Sequence, residues 1–257
     1  MLPDFYRHPV APFSAEILAE AGAHAAAESP RESCGLVRAG CYVPCKNRSD
    51  TPEVEFVIGQ EEMAEAVLAG DLEGIIHSHP GGPWRPSQHD ATAQIATGVP
   101  WAILVPGETG AELACHWGTQ RPPVFDEAGH HVPRRFKHQI ADCYSLMEDY
   151  FSQECGLSLP KVAREWGWWK KGQTLYLDHL QESGFEVISR DPSEYASIAR
   201  PRDAFLMQLQ SPATPNHAGV YLGNGICLDH MFRELSRTSA IQPRFNEITH
   251  WLRHKNL

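Results

Sequence analysis

The first half of the chain changes repeatedly between the apolar spacing that favours helices and the spacing that favours strands. Helices are predicted near residues 14–28, in GQEEMAEAVLAGD and in SQHDATAQIATG. Strands are predicted in LEGIIHSHP, WAILVPG and AELACHW, and CGLVRAGCYVPCKN also has strand character. This mixture of elements predicts an α/β domain over residues 1–118.

Regular periodicity is lost between the two halves. GTQRPPVFDEAGHHVPRR is rich in Pro, Gly and charged residues, which indicates a linker at residues 119–132. Beyond it, the pattern predicts helices in CYSLMEDYFSQ and GQTLYLDHLQESGF, a strand in DAFLMQL and a hairpin in HAGVYLGNGICLDHM. Because the helices come before the sheet, residues 133–257 are predicted to form an α+β domain.

Composition excludes some classes of function. The net charge is −10 and the 22 Lys and Arg residues form no long run, so no nucleic-acid partner is expected. No apolar stretch reaches the roughly 18 residues that a membrane helix needs, so no membrane span is expected. The seven cysteines form no recognisable disulfide framework, and their odd number predicts mostly reduced thiols.

A pair of histidines marks the end of one predicted strand. In GIIHSHP, side chains alternate between the two faces, so His77 and His79 point the same way. Two adjacent imidazoles are half of a zinc site, and Asp90 at the start of the next helix can fold back to supply a third ligand. Alternatively, Ser87 and Asp90 form a capping box, which explains these two residues but not the histidines.

The complete spacing, His-x-His-Pro followed by Ser-x-x-Asp, resembles the motif of the JAB/MPN (JAMM) metalloproteases. That family also places a glutamate upstream, commonly before a Cys-Gly pair, and RESCGLV supplies Glu32 in this context. The resemblance implies a JAB/MPN-like domain with Zn²⁺ held by His77, His79 and Asp90. It implies Glu32 as the general base and Ser87 as a group that stabilises the tetrahedral oxyanion.

The second half carries residues suited to a different chemistry. IADCYSL places Cys143 at a helix start, where the partial positive charge of the helix stabilises a thiolate. A nucleophilic cysteine needs a base, and His217 opens the apolar strand HAGVYLG, where packing gives no reason for a histidine. Taken singly, Cys143 fits a buried core thiol and His217 fits a strand-end residue.

Together, the Asp-Cys helix start and the strand HAGVYLG resemble the NlpC/P60 family of cysteine peptidases, which implies a papain-like fold. In that family the third catalytic residue is typically a histidine, less often Asn or Gln, twelve residues after the base. Here that position is Asp229, and its neighbour is His230. A three-residue GNG loop would put Asp229 on the face of His217, whereas a two-residue NG loop would put His230 there. The family spacing favours Asp229.

The fusion of these two domains resembles the tail assembly proteins of lambda-like siphophages. The resemblance implies a tail-tip peptidase, present in the virion and in the host cytoplasm during assembly, whose partners are other phage tail-tip proteins. The NlpC/P60 domain would cut peptidoglycan stem peptides for DNA entry, and the JAB domain would be a zinc-dependent (iso)peptidase.

Two alternative functions, and two interpretations of one aromatic run, remain open at the level of the sequence. One is a structural module of the tail tip whose active sites are vestigial. Another is a cytosolic ubiquitin-type isopeptidase, which the JAB-like motif alone favours. The aromatic run EWGWW, residues 165–169, either lines a glycan-facing groove or packs in the core.

Overall fold

The computed structural model describes residues 12–108, 110–209, 211 and 213–257. The chain divides into two compact units, one ending at Gln120 and the other continuing from Arg121 to Leu257. Residues 1–11, with which the first predicted domain begins, lie outside the described part. No helix within the described ranges is long and apolar enough to cross a membrane.

The first unit contains three helices and five strands. The helices are α1 (Ala15–Glu28), α2 (Gln60–Ala69) and α3 (Gln88–Thr97). The strands are β1 (Cys34–Arg38), β2 (Cys41–Cys45), β3 (Leu72–Ser78), β4 (Trp101–Gly107) and β5 (Gly110–Trp117). Each of these elements falls in a segment where the sequence predicts it.

These five strands form one sheet in the order β2-β1-β3-β4-β5. β3 and β4 run parallel, because α3 carries the chain back between them, whereas the other neighbours are antiparallel. Helix α1 covers one face of this sheet and buries Ile17 and Ala21 against Ile76 and Leu104. The central strand β3 is therefore buried on both sides, and its carboxyl end lies in the middle of the sheet.

The second unit contains a long helix, short helices and a larger sheet. Its helices are α4 (Cys143–Cys155), α5 (Leu175–Asp178) and α6 (Tyr195–Ile198), with 3₁₀ turns at Trp168–Lys171 and Gln242–Glu247. Its strands are β6 (Phe185–Ser189), β7 (Ala204–Met207), β8 (His217–Gly223), β9 (Ile226–Asp229), β10 (Arg237–Ala240) and β11 (Ile248–His254). They form an antiparallel sheet in the order β10-β9-β8-β7-β11-β6.

Helix α4 packs on this sheet through its apolar side. Leu146, Met147 and Phe151 join Ala218 and Val220 of β8 in one buried cluster. The mixed helices and antiparallel sheet agree with the predicted α+β class. Since the cluster joins the long helix to β8, it places the first residue of α4 close to the first residue of β8.

The structure differs from the predicted helices in one segment of the second unit. The helix expected in GQTLYLDHLQESGF is reduced to the single turn α5. Leu175, Leu177 and Leu180 all pack against the core, and this spacing does not follow one face of a helix. The predicted linker includes Val124, which is fully buried in the second core and receives a hydrogen bond from Val132 N at 2.9 Å. The Pro-rich composition thus accompanies an irregular backbone that packs within the second unit.

Candidate functional site

The two histidines of the first unit are placed by strand β3. His77 lies opposite Cys34 of β1 and Ile103 of β4, and His79 N donates to Leu104 O at 2.9 Å just beyond the strand. Because the extended backbone continues to His79, both imidazoles project to the same side. Their Nε2 atoms are 3.0 Å apart, and both rings are buried.

Asp90 joins this pair from the first turn of α3. Ser87 is the N-cap of α3, and its Oγ accepts from Asp90 N at 3.1 Å while Asp90 Oδ2 accepts from Ser87 N at 2.7 Å. The same carboxylate lies 3.4 Å from His77 Nε2 and 3.5 Å from His79 Nε2. The capping box and the cluster therefore exist together. The capping box fixes Asp90 where it meets the two imidazoles, and these three buried residues form a group that can hold a metal ion.

The donor set fits zinc. Tetrahedral zinc, with bonds of about 2.0 to 2.1 Å, places its nitrogen and oxygen ligands about 3.3 Å apart. In the structure the two Nε2 atoms are 3.0 Å apart, and Asp90 approaches His77 through Oδ1 at 3.4 Å and His79 through Oδ2 at 3.5 Å. With one ligand atom from each residue, the three atoms lie within 4.8 Å of one another. His79 Nδ1 lies 2.9 Å from Pro83 O, which can only accept, so Nδ1 carries the proton and Nε2 presents its lone pair.

Glu32 lies beside this cluster because β1 begins next to the end of β3. Ser33 N donates to Ser78 Oγ at 2.8 Å, which fixes the residue after Glu32 against the strand that carries the histidines. Glu32 is buried, with Oε1 3.9 Å from His79 Nε2. Burial raises the pKa of Glu32 to about 7, although the charge of His79 acts in the opposite direction.

The electrostatics of the cluster depend on the imidazoles. Burial lowers the pKa of His77, against the attraction of Asp90. For His79, hydrogen bonds to Asp90 and Pro83 outweigh burial and raise the pKa. For Asp90, burial is likewise outweighed, by His77, His79 and the Ser87 backbone, so its pKa is held well below the usual range. The partners of Asp90 are thus the imidazoles of His77 and His79. They offset its negative charge only when they are protonated or bound to a cation.

In the second unit, Cys143 is the first residue of α4. Its position is fixed by a capping box in which Asp142 Oδ1 accepts from Ser145 N at 3.0 Å and Ser145 Oγ accepts from Asp142 N at 2.7 Å. Cys143 is 7% exposed, and its Sγ lies 3.2 Å from Tyr176 Oη. The thiol is therefore held at the positive end of a 13-residue helix.

His217 opens β8 and has contacts on two sides. Its Nε2 lies 3.3 Å from Asp229 Oδ2, and the ring also interacts with Cys143. Burial lowers the pKa of His217, but the hydrogen bonds and charges of Asp229 and Cys143 prevail and raise it to about 9. Since Nε2 faces Asp229, Nδ1 is the ring nitrogen that remains for proton exchange with the thiol.

The register of the β8–β9 hairpin brings Asp229, and not His230, to His217. Gly219 pairs with Asp229, and since residues two apart share a face, Asp229 lies on the face of His217. The loop itself has only two residues, Asn224 and Gly225, both with positive φ. The register shift between Tyr221 and Gly223 leaves Leu222 as an extra residue, so this two-residue loop gives the register expected of a three-residue one.

His230 has a different environment. It is fully buried, and its ring packs against Phe136 with centroids 5.2 Å apart. Neither ring nitrogen has a hydrogen-bond partner of normal geometry among the described residues, although the Glu234 backbone is near enough to act on the ring. Burial lowers the pKa of His230 to about 4, which keeps it neutral.

Three residues around the second site were not expected from the sequence. Arg164 Nη2 binds both carboxylate oxygens of Asp142, at 2.9 and 3.0 Å, and Tyr176 meets the thiol of Cys143. Arg244 Nη1 binds Asp229 Oδ2 at 2.6 Å. Arg164 lies outside the helices and strands, Tyr176 lies in the single turn α5, and Arg244 lies in a 3₁₀ turn. Each is 15 to 33 residues from its partner along the chain, so no local spacing predicts the contact. The sequence feature closest to one of these residues is the aromatic run EWGWW, which directly follows Arg164. In this run Trp168 is 1% exposed and packs in the core.

Two family profiles match the chain in succession. The profile of prokaryotic homologs of the JAB domain matches residues 14–117, and the NlpC/P60 family profile matches residues 116–253. The chain is thus a two-domain protein with a JAB-like domain followed by an NlpC/P60 domain. A solution structure of a protein from Desulfitobacterium hafniense covers 39% of this chain and 87% of its own, at 23% identity and a TM-score of 0.31.

Two curated relatives match over most of the chain. Tail tip assembly protein K of Escherichia phage lambda is 33% identical over 197 residues, which are 76% of this chain and 88% of the relative. Tail tip assembly protein K of Escherichia phage N15 is 33% identical over 221 residues, which are 84% of each chain. The chain therefore belongs to the family of phage tail tip assembly proteins K.

Proposed function

We propose that this protein is a tail-tip peptidase of a tailed bacteriophage or prophage, and that its NlpC/P60 domain hydrolyses peptidoglycan stem peptides so that DNA can enter the host. The observation that carries the proposal is the buried arrangement of Cys143 at a helix start with His217 and Asp229. The relatives named for tail tip assembly support the location in the virion tail tip. The proposal also places the protein in the host cytoplasm during assembly.

The arrangement has the parts that a cysteine peptidase needs. His217 takes the proton of Cys143, and the thiolate attacks the peptide carbonyl to form a tetrahedral oxyanion. Backbone N–H groups at the start of α4 stabilise this oxyanion. His217 then gives its proton to the amine of the broken peptide bond, and the amine departs. The acyl group remains on Cys143 as a thioester. A water molecule deprotonated by His217 hydrolyses the thioester, which releases the acid and restores the thiol, while Asp229 keeps the imidazole oriented.

Muropeptide release from purified peptidoglycan tests this proposal. Cys143→Ala is expected to lower the rate by about a thousandfold or more, because loss of the nucleophile removes the covalent route. The matched control is Cys155→Ala, which removes a half-buried thiol from the other end of the same helix and should leave the rate unchanged. Wild-type rates in Cys143→Ala would contradict the proposal. Products that point to cleavage between D-glutamate and diaminopimelate would identify the bond.

A second activity is favoured by the cluster in the first unit. We propose that His77, His79 and Asp90 hold zinc and that this domain is a zinc-dependent (iso)peptidase acting on another tail protein during assembly. A zinc ion held by these residues would lower the pKa of a coordinated water to roughly 7 and would polarise a substrate carbonyl. Glu32, next to His79, would accept the proton, and Ser87 would donate to the oxyanion.

The test for this second activity is a comparison of tail proteins in virions assembled with wild type and with His79→Gln. A tail protein that is shortened only with wild type is the expected result. Identical tail proteins in both preparations would contradict it.

The rival proposal is a structural tail-tip module with vestigial sites, whose partners are the other tail-tip proteins. The word assembly in the names of both relatives favours it. Virions that form and infect normally with Cys143→Ala and His79→Gln combined, but not without the protein, would support this role over the two enzymatic ones.

A further inference from the structure

Asp229 is the most enclosed member of the second site. Its side chain is 0% exposed, and its Oδ2 accepts both from His217 Nε2 at 3.3 Å and from Arg244 Nη1 at 2.6 Å. A buried carboxylate is stable only when its charge is paired. His217 supplies a positive charge only while it is protonated, and it must be neutral when it takes a proton. During that stage the charge of Asp229 needs another partner.

Arg244 is held in place for this task by its other contacts. It belongs to the 3₁₀ turn Gln242–Glu247, its Nε donates to Glu247 Oε2 at 2.8 Å, and its Nη2 lies 3.5 Å from Met231 Sδ. The side chain of Arg244 is only 17% exposed. A guanidinium stays protonated at every pH of interest, so its charge does not change during the reaction.

The surroundings of the pair contain other titratable groups. Those that act on His217, Asp229 or Arg244 are Cys143 from α4, Cys227 from β9, His230 next to Asp229, and Glu247 from the 3₁₀ turn. Burial raises the pKa of Cys227 and lowers the pKa of His230, so both stay neutral, and Cys143 exchanges a proton with His217 during the proposed reaction. Among the residues that the structure describes, Arg244 is the permanent cation that bonds directly to the carboxylate.

We infer that Arg244 is a positioning residue of this site, which keeps the carboxylate of Asp229 ionised and directed at Nε2 of His217 while His217 is neutral. This inference rests on the proposed function of the second unit. Without Arg244, the buried carboxylate loses its permanent counter-charge and its protonated form is favoured. A protonated carboxyl group accepts from Nε2 more weakly than a carboxylate does, so the imidazole is held less firmly towards Cys143. The expected defect is therefore in kcat, with little change in KM.

A double-mutant cycle on the full chain tests the inference. Arg244→Met should lower kcat by roughly tenfold or more, whereas Arg244→Lys, which keeps the charge, should lose much less. Asp229→Asn removes the need for a counter-charge, so adding Arg244→Met to it should cost at least about fivefold less than in wild type. Arg253→Met is the control, because Arg253 is also 17% exposed and binds the buried Asp203 at 2.7 Å, but it is not a partner of Asp229 or His217. A double variant whose loss equals the product of the two single losses would overturn the inference.

A second readout separates this inference from the proposed function. The rate at which iodoacetamide alkylates Cys143, followed by peptide mass mapping, reports on the Cys143–His217 pair without any substrate. The rate should fall in Arg244→Met, and the same substitution should cause a much smaller fall when Asp229 is already replaced by Asn, because no carboxylate then needs a counter-charge. If wild type releases no muropeptides but this pattern holds, the proposed function fails and the positioning role of Arg244 stands. Equal alkylation rates in wild type and Arg244→Met would overturn that role.

Discussion

The two sites stabilise buried carboxylates in different ways. In the second unit, Asp142 is bound by Arg164 and Asp229 is bound by Arg244, and a guanidinium is always charged. In the first unit, Asp90 instead faces the imidazoles of His77 and His79. Imidazoles carry charge only when protonated, and they lose that proton near neutral pH.

This difference indicates what each site requires. The cysteine site has its charges balanced by side chains of the chain itself, so it is complete without a ligand. The histidine cluster combines two imidazoles, which can be neutral, with the carboxylates of Asp90 and Glu32. A divalent cation would balance the negative charge of these two carboxylates. The sequence alone identified both sets of residues but not this contrast, because the two arginines lie outside the motifs.

The largest expected effect is the loss of bound metal. Metal analysis of the purified protein should find about one zinc per chain, and the His77→Ala/His79→Ala double variant should contain none, because two of three ligands are gone. Asp90→Asn should also lose most of the zinc while keeping an oxygen that can accept from Ser87 N, which preserves the cap of α3. His89→Ala, on the exposed side of the same helix turn, should retain the zinc. A metal-free wild type would contradict the account of the first site.

A smaller but still large effect is expected from breaking the charge balance in the second unit. Arg164→Met leaves Asp142 buried without its guanidinium and should cost about 3 to 5 kcal/mol in the free energy of unfolding. The matched control is Arg237→Met, since Arg237 pairs with Glu234 while both are about half exposed. Its change should be much smaller, because solvent screens exposed pairs. Denaturant unfolding measures both, and equal losses in the two variants would contradict the proposed role of the buried pair.

The smallest expected effect is a pH dependence of stability. The pKa of His217 rises from 6.5 to about 9, because Asp229 and Cys143 outweigh burial. A group with a raised pKa stabilises the folded state fully below its unfolded pKa, and this stabilisation is lost as pH rises through the folded pKa. The stability difference between wild type and His217→Gln should therefore shrink between pH 6.5 and about 9. A difference that stays constant or grows over this range in urea unfolding would contradict the sign.

Much of the fold and of both sites follows from local patterns in the sequence. The alternation in β3 placed His77 and His79 on one face, and the capping residues Ser87 and Asp90 located the start of α3. The capping box of α4, formed by Asp142 and Ser145, was recognised only in the structure. The hairpin register did not follow from loop length, because the extra residue Leu222 offsets the two-residue turn. The pairing of Arg164 and Arg244 with acids far along the chain depends on tertiary packing, which single-sequence periodicity does not encode.

The most direct test of this contrast is muropeptide release by wild type after two separate treatments, chelation of metal and alkylation with iodoacetamide. The account predicts that the chelated protein retains its full rate, because the cysteine site is complete without a metal. It predicts that the alkylated protein loses the activity, because Cys143 is blocked. Loss of release after chelation, or full release after alkylation of Cys143, would contradict the assignment of wall hydrolysis to the second unit.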